Sequence, residues 1–415
     1  FPNGIDFANV GKIGKHSMKI KDLQDFIVGN PPPGWGGRYF TFVKLTTDTG
    51  IVGYGECYCA TFGPKAMTAM IEDTFHRYVE GMDPFHIESL WRKVYGSGFT
   101  HRPDVSLMGV LSGIEIALWD ILGKALNKPI YELIGGRVHE KLRSYTYIYP
   151  DLAKKQDDSI YWNAEQSAER AAHYVKLGFT GIKFDPAAPY SSFDPRQPSL
   201  ESMELCTRFC RLIREAVGNK ADLLFGTHGQ FTASGAIRFA KQIEPYNPLW
   251  FEEPTPPDRP EEMALVARGT SIPVATGERL TTKYEFGRVL ELRAASILQM
   301  ALGRVGGIWE AKKIAGMAEV NYAQIAPHLY AGPIEAAANI QYGTSLPNFL
   351  ILESIETFGG FYAKLLKKPI RWEQGYVIPP TEPGLGVELN EEVALAHPYT
   401  GARLHLEMTN HPVNV

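Results

Sequence analysis

The sequence predicts an α/β protein: a (β/α)8 barrel, or modified TIM barrel, with an α+β capping domain in front of it. Three observations carry that expectation. Eight short apolar runs recur between residues 142 and 354, and most end in polar or charged residues. Amphipathic segments of helical period separate them, as a parallel sheet closed by crossovers requires. Ahead of them lies a stretch of strand-like alternation and helical segments, large enough for a domain of its own.

Taken in order, residues 1–17 have no clear period. Met18 is a candidate natural start, which would make the preceding residues an expression remnant or a flexible extension. A strand-like alternation begins at Met18 and runs into the Pro/Gly loop PPPGWGG at residues 31–37, with Trp35 at its tip. Residues 38–47 and 51–58 read as two strands. Asp48, Thr49 and Gly50 between them supply turn chemistry, so the pair reads as a hairpin. Helices are expected over 65–79, 84–95 and 107–125. The cap is therefore placed at 18–138, the barrel at 139–368, and the Pro/Gly-rich segment 369–415 is expected to pack back on the cap.

The barrel runs are LRSYTYIYP (142–150), GIKFDP (181–186), ADLLFGTHG (221–229), LWFEEP (249–254), PVATGE (273–278), ASILQM (295–300), YAQIAPH (322–328) and FLILES (349–354). Catalytic groups of this fold sit where strands end. Here the strand ends supply Lys183, Asp185, His228, Glu252, Glu278, His328 and Glu353. So many ionisable groups at one mouth are hard to explain as packing.

Composition narrows the function classes. The 415 residues are 44% hydrophobic and 21% charged, as in an ordinary globular protein. A formal charge of −4 gives no electrostatic case for nucleic acid or an anionic membrane. We see no apolar run of bilayer-spanning length and no secretory segment, so a cytoplasmic location is expected. Cys57, Cys59, Cys206 and Cys210 read as ordinary buried thiols rather than a zinc site.

Glu252 and Glu278 end neighbouring strands and can share one hard cation such as Mg²⁺. Glu253 should point sideways, because successive strand residues alternate. Lys183 and Asp185 share an inner face. A lysine near a metal can act as base or as cation, and its plain alternative is a salt bridge holding the mouth together. His228 and His328 face the same mouth as candidate acid and base. Glu353 can hydrogen-bond a developing oxyanion if protonated. Arg279 can clamp a carboxylate through its planar fork, although a surface ion pair is an equal alternative. Gly303, Gly306 and Gly307 suggest a tight strand-to-helix turn more than a phosphate cradle.

At these residues the chain resembles the enolase superfamily, in its mandelate racemase-like branch. The motifs are ALWDILGK (117–124), KPIYELIGG (128–136), GIKFDP, FEEP, GERL (277–280), APH and ILES, in that order. The run KFDP, THGQF, YNPLWFEEP and GERL looks most like acid-sugar dehydratases of the gluconate/galactonate type. The resemblance implies that Mg²⁺ binds a substrate carboxylate and a base removes the adjacent C–H proton. The neighbouring hydroxyl then leaves, giving a 2-keto-3-deoxy acid. It implies Glu252 and Glu278 as metal ligands and Lys183 as an acid/base or enediolate-stabilising group. It also implies His228 as general acid, His328 as base and Glu353 as the electrophilic group. Trp35 on the cap loop would close the site and read the sugar. A symmetric homo-oligomer is the family's habit.

Two departures stand out. The usual third metal ligand lies two residues before His228, where this chain has Gly226. Asp185 or His228 is expected to fill the vacancy, with Asp185 preferred. The aspartate that usually orients the seventh-strand histidine is replaced by Ala301, which leaves His328 without its partner. Tyr145 and Tyr147 on the first strand are substitute bases or sugar contacts. Three functions remain in view. They are a Mg²⁺-dependent sugar-acid dehydratase (a hydro-lyase), a racemase, epimerase or cycloisomerase using the same enediolate, and a non-catalytic sugar-acid binder with a degraded metal site.

Overall fold

A computed structural model describes residues 18–58, 61–187 and 189–413. The reading of residues 1–17 and of Cys59 lies outside the described residues.

The cap begins with an antiparallel meander, β1 (Ile20–Gly29), β2 (Tyr39–Thr47) and β3 (Val52–Cys57), with β2 in the middle. The Thr47–Ile51 turn closes the second hairpin with two backbone hydrogen bonds. Helix Val105–Leu126 packs across this sheet, started by Asp104, whose carboxylate accepts from the backbone N–H groups of Ser106 and Leu107. The approach is so close that a Cβ on Gly55 would lie 1.7 Å from the Gly113 carbonyl oxygen, so only glycine fits there. This helix corrects one expectation: by length and hydropathy it could cross a bilayer, yet 89% of its most apolar window is buried inside the protein. It is a core helix.

The barrel strands are β4 (Leu142–Tyr147), β5 (Gly181–Phe184), β6 (Asp222–Gly226), β7 (Trp250–Glu252), β8 (Val274–Thr276), β9 (Ile297–Leu298), β10 (Gln324–Ile325) and β11 (Leu352–Ser354). They pair in parallel from β4 through β10, and β11 pairs with β4. Ile325 bridges Phe349 just ahead of β11, which brings the ring round. All eight predicted runs therefore hold a strand. Tyr145, Leu224, Trp250, Ala275, Ile297, Ala326 and Ile351 fill the barrel interior. A short hairpin, β12 (Trp372–Glu373) and β13 (Tyr376–Val377), pairs antiparallel with the first two residues of β4, and helix Glu391–Ala396 reaches back to the cap.

Two buried glutamates of the cap fasten it to the barrel. Glu56 accepts from the N–H groups of Gly332 and Glu335, at the start of helix Pro333–Thr344. Glu115 accepts from those of Ile308 and Trp309, at the start of helix Ile308–Val320. Each carboxylate meets unpaired N–H donors at the positive end of a helix. Gly306 and Gly307 make the preceding turn, both with positive φ. The chain's own Glu115 thus occupies the position that a phosphate cradle would have offered.

Candidate active site

The strand ends of β5 to β8 build a connected set of charges. Lys183 is 1% exposed, and its Nζ donates to Glu252 Oε1 at 2.6 Å and lies 3.6 Å from Glu353 Oε1. Burial disfavours the charged amine. The adjoining Glu252 and Glu353 charges outweigh burial and hold Lys183 well above its ordinary range. Gln299, just past β9, donates to the other oxygen of Glu252 at 2.9 Å. Glu252 therefore turns inward. Glu253 turns the opposite way and takes Nε of Arg279 at 2.9 Å and its terminal nitrogen at 2.8 Å. That pairing places Arg279, the expected carboxylate clamp, against a protein carboxylate.

His228 and Glu253 both have left-handed backbones, with φ of 48° and 42°. The structure around them enforces this unusual conformation. Thr227 Oγ1 donates to the carbonyls of Glu252 and Glu253, and the Gly229 N–H donates to Glu253 at 2.6 Å. So held, His228 presents Nδ1 to Asp185 Oδ2 at 2.6 Å and Nε2 toward Glu278 Oε1 at 3.8 Å. Burial lowers the affinity of His228 for a proton, but Glu278 and Asp185 more than reverse this and bring its pKa to about 9.

Asp185, expected among the metal ligands, is placed behind His228. Its Oδ2 also accepts from Tyr190 Oη at 2.5 Å. A Cβ on Gly226 would lie 3.6 Å from Asp185 Oδ2 and from Lys183 Cε, and 3.7 Å from Tyr147 Oη. The side chains of Asp185, Lys183 and Tyr147 thus crowd the space an acid at 226 would enter.

His228, Glu252 and Glu278 each offer one ligand atom, all within 4.8 Å of one another. Glu278 Oε2 is buried without a hydrogen-bond partner. Burial disfavours the ionised form of Glu278, yet His328, His228 and Lys183 hold its carboxyl well below the usual range. One imidazole and two carboxylates fit a divalent cation, with two oxygens suiting a hard ion. The arrangement Asp185–His228–cation is the usual way a carboxylate orients a ligating histidine.

Across the mouth, His328 sets Nε2 at 3.2 Å from Glu278 Oε2, while its Nδ1 is buried without a hydrogen-bond partner. Burial dominates and pulls its pKa down to about 3, so the ring is neutral. Ala301 is fully buried and offers it nothing polar. Glu353 accepts from the Leu329 N–H at 2.8 Å, and burial pushes its carboxyl up to about 7 against the pull of Lys183. Tyr147 lies under Lys183, whose Nζ is 5.0 Å from the ring centre. Trp35 stacks on Tyr149 at 4.4 Å, directly past the end of β4.

Several groups at the mouth escaped sequence reasoning. Gln299 and Tyr190 were visible only as polar residues near strand ends. Tyr58 follows β3 of the cap and stacks on His328, ring centres 5.8 Å apart. His405 comes from the far C-terminal segment and packs edge-on against Tyr58 and Tyr39. Residues 404–411 cross the mouth between two loops. Arg38 donates to the Leu404 carbonyl, and the Thr409 N–H donates to the Tyr190 carbonyl. With this strap down, Glu252, Glu353, His328 and Glu278 are all less than a tenth exposed.

A capped eight-stranded barrel whose strand ends gather a lysine, two histidines and four acids defines an enolase-type protein. Comparison agrees over most of the chain. The family described as "Mandelate racemase / muconate lactonizing enzyme, N-terminal domain" matches residues 36–135, and "Enolase C-terminal domain-like" matches residues 166–393. The chain belongs to the mandelate racemase/muconate lactonizing enzyme family of the enolase superfamily. It is 35% identical to D-galactonate dehydratase of Klebsiella pneumoniae (strain 342) over 389 residues, 90% of this chain and 93% of the relative. Among solved structures, a mandelate racemase/muconate lactonizing enzyme from a Sulfitobacter species is 57% identical with a TM-score of 0.94, covering 96% of this chain and all of the other. A mandelate racemase/muconate lactonizing enzyme-like protein from Roseovarius sp. TM1035 is 55% identical with a TM-score of 0.93, covering 95% and 99%.

Proposed function

We propose that the chain is a Mg²⁺-dependent dehydratase of a sugar acid, an aldonate or aldarate, yielding a 2-keto-3-deoxy acid and water. The observation that carries this reading is the convergence of Lys183, His328 and Glu353 on the three cation donors His228, Glu252 and Glu278. The 35% identity to a D-galactonate dehydratase supports it.

His228, Glu252 and Glu278 would hold the cation, with Asp185 fixing the imidazole tautomer from behind. When bound, the ion supplies positive charge to a substrate carboxylate and so acidifies the neighbouring C–H bond. The residues do the rest. A neutral His328 is able to accept the proton from the carbon beside the carboxylate, and the electron pair of that C–H bond moves into an enediolate. Lys183 supplies a buried cation to the developing oxyanion, and Glu353, with its pKa raised toward neutrality, can donate a hydrogen bond to it. The pair of electrons then expels the β-hydroxyl, which takes a proton and leaves as water, and the enol product becomes the ketone. His228 is the general acid by family resemblance. Here its Nε2 faces the cation group, so we assign it to the metal and leave the departing hydroxyl to Lys183 or Tyr147.

Incubation with Mg²⁺ and a library of acid sugars in D₂O, followed by assay for 2-keto acids, tests the reading. Keto acid supports dehydration. Deuterium uptake or a new isomer without keto acid would instead indicate racemase, epimerase or cycloisomerase chemistry, and silence with no metal bound would indicate a binding protein.

A further inference from the structure

Arg279 and Arg304, both beside the mouth, differ in what neutralises them. Arg279 is held by Glu253 through two nitrogens. Arg304, in the turn after β9, is 6% exposed, and among the described residues it makes no ion pair. One terminal nitrogen donates to the backbone carbonyl of Glu278 at 3.0 Å. Its guanidinium carbon sits 4.1 Å from the centre of the Tyr58 ring. Its Nε is buried with no partner. The carboxyl of Glu335 feels the charge of Arg304, but burial raises that carboxyl to about 7 and it makes no ion pair with the arginine. A buried guanidinium with an unfilled donor is costly unless something arrives to fill it.

Its neighbours say where that something would be. Tyr58 stacks on His328, and Glu278 is one of the cation donors. Arg304 thus touches the backbone of Glu278 directly and is one side chain, Tyr58, removed from His328. With one terminal nitrogen committed to a carbonyl, the free edge carries Nε, and that edge meets a carboxylate with two parallel N–H bonds.

We propose that Arg304 receives a second carboxylate of the substrate, at the end remote from the reacting carbon, so that the preferred substrate is a dicarboxylate (an aldarate) rather than an aldonate. This rests on the sugar-acid reading above, and it separates this chain from its galactonate-dehydrating relative at the far end of the substrate.

The test uses the full chain with Mg²⁺ and two matched probes, galactarate and D-galactonate, with glucarate and gluconate as a second pair. Keto-acid formation from the diacids should exceed that from the monoacids. Arg304→Gln should raise KM for diacids about tenfold or more with a smaller change in kcat, and raise KM for the monoacids far less, so that the diacid preference is lost, while Arg304→Lys recovers part of the loss. Equal kcat/KM for the members of each pair, unchanged by Arg304→Gln, would overturn the proposal and leave the dehydratase reading intact. If no keto acid forms from any probe, the dehydratase reading fails by itself. Calorimetric binding of galactarate against galactonate then decides the role of Arg304. A galactarate preference abolished by Arg304→Gln supports it, and equal binding refutes it. Thermal melting of both variants establishes that they fold.

Discussion

The two halves of the barrel mouth are built on opposite principles. On the side of β5 to β8, each charged side chain faces an opposite one: Lys183 with Glu252, Asp185 with His228, Glu253 with Arg279. On the side of β9, β10 and the cap, His328 keeps an unfilled Nδ1 and Arg304 an unfilled Nε. The first half is paired in charge, and its unfilled atoms include the carboxylate oxygens Asp185 Oδ1, Glu253 Oε1 and Glu278 Oε2, which suit a cation. The second half has donors and acceptors to spare, which a substrate can complete. Preorganised charge and unfilled hydrogen-bonding groups are both costly to keep buried, and they coincide here where the chemistry is expected.

The charge pairing of the first half depends most on Lys183. Lys183→Met removes the only cation bonded to Glu252 among the described residues and should cut keto-acid formation by about 10³-fold or more, in steady-state assays. It should also destabilise the fold by roughly 3–5 kcal/mol in urea unfolding, since Glu252 keeps a buried charge. Next comes Asp185→Asn, which keeps the shape but removes the charge behind His228. Metal affinity should fall about 10–100-fold by titration calorimetry, whereas unchanged affinity would detach Asp185 from the cation group.

A third change lies outside the mouth, in the bond between cap and barrel. Burial raises Glu115 to about 8, against the pull of its three hydrogen-bond donors. A carboxyl whose folded pKa is raised stabilises the fold most below its unfolded pKa, near 4.3, and loses that contribution as pH climbs to about 8. Thermal stability should therefore decline across that window, and Glu115→Gln should flatten the decline. An identical pH profile in the variant would contradict this. The smallest effect is expected at Gly226→Ala. Its new Cβ would meet neighbours at 3.6–3.7 Å, an ordinary contact, so stability should change by no more than about 0.5 kcal/mol. A large loss would mean that the glycine is there for the backbone rather than as the trace of a missing ligand.

Much of the balanced half could be read in the chain. Barrel topology forces strand ends to one face, so Lys183, Glu252 and Glu278 converge once the strands are placed, even though β9 and β10 are only two residues long. Strand alternation anticipated that Glu252 and Glu253 point apart, although Glu253 lies just past β7 and its left-handed backbone is what turns it. The other half was hidden because its groups meet only in three dimensions. Tyr58 comes from the cap, Arg304 from a tight turn, and His405 from a strap far along the chain. Arg279 stood between two readings for a related reason. Its fork could clamp a substrate or enter an ion pair, and only the turn of Glu253 shows that it is engaged within the protein. Asp185 and His228 were both candidates for the ligand missing at Gly226, and their order depended on a side-chain rotation that spacing does not encode.

The chemistry depends on which atoms hold the cation, and pulsed EPR of the Mn²⁺-loaded protein reads them directly. We expect a nitrogen coupling from one imidazole in the wild-type protein, absent in His228→Gln, with Mn²⁺ still bound more weakly by Glu252 and Glu278. A Mn²⁺ spectrum with no nitrogen coupling, or one that His228→Gln leaves unchanged, would contradict the proposed cation site.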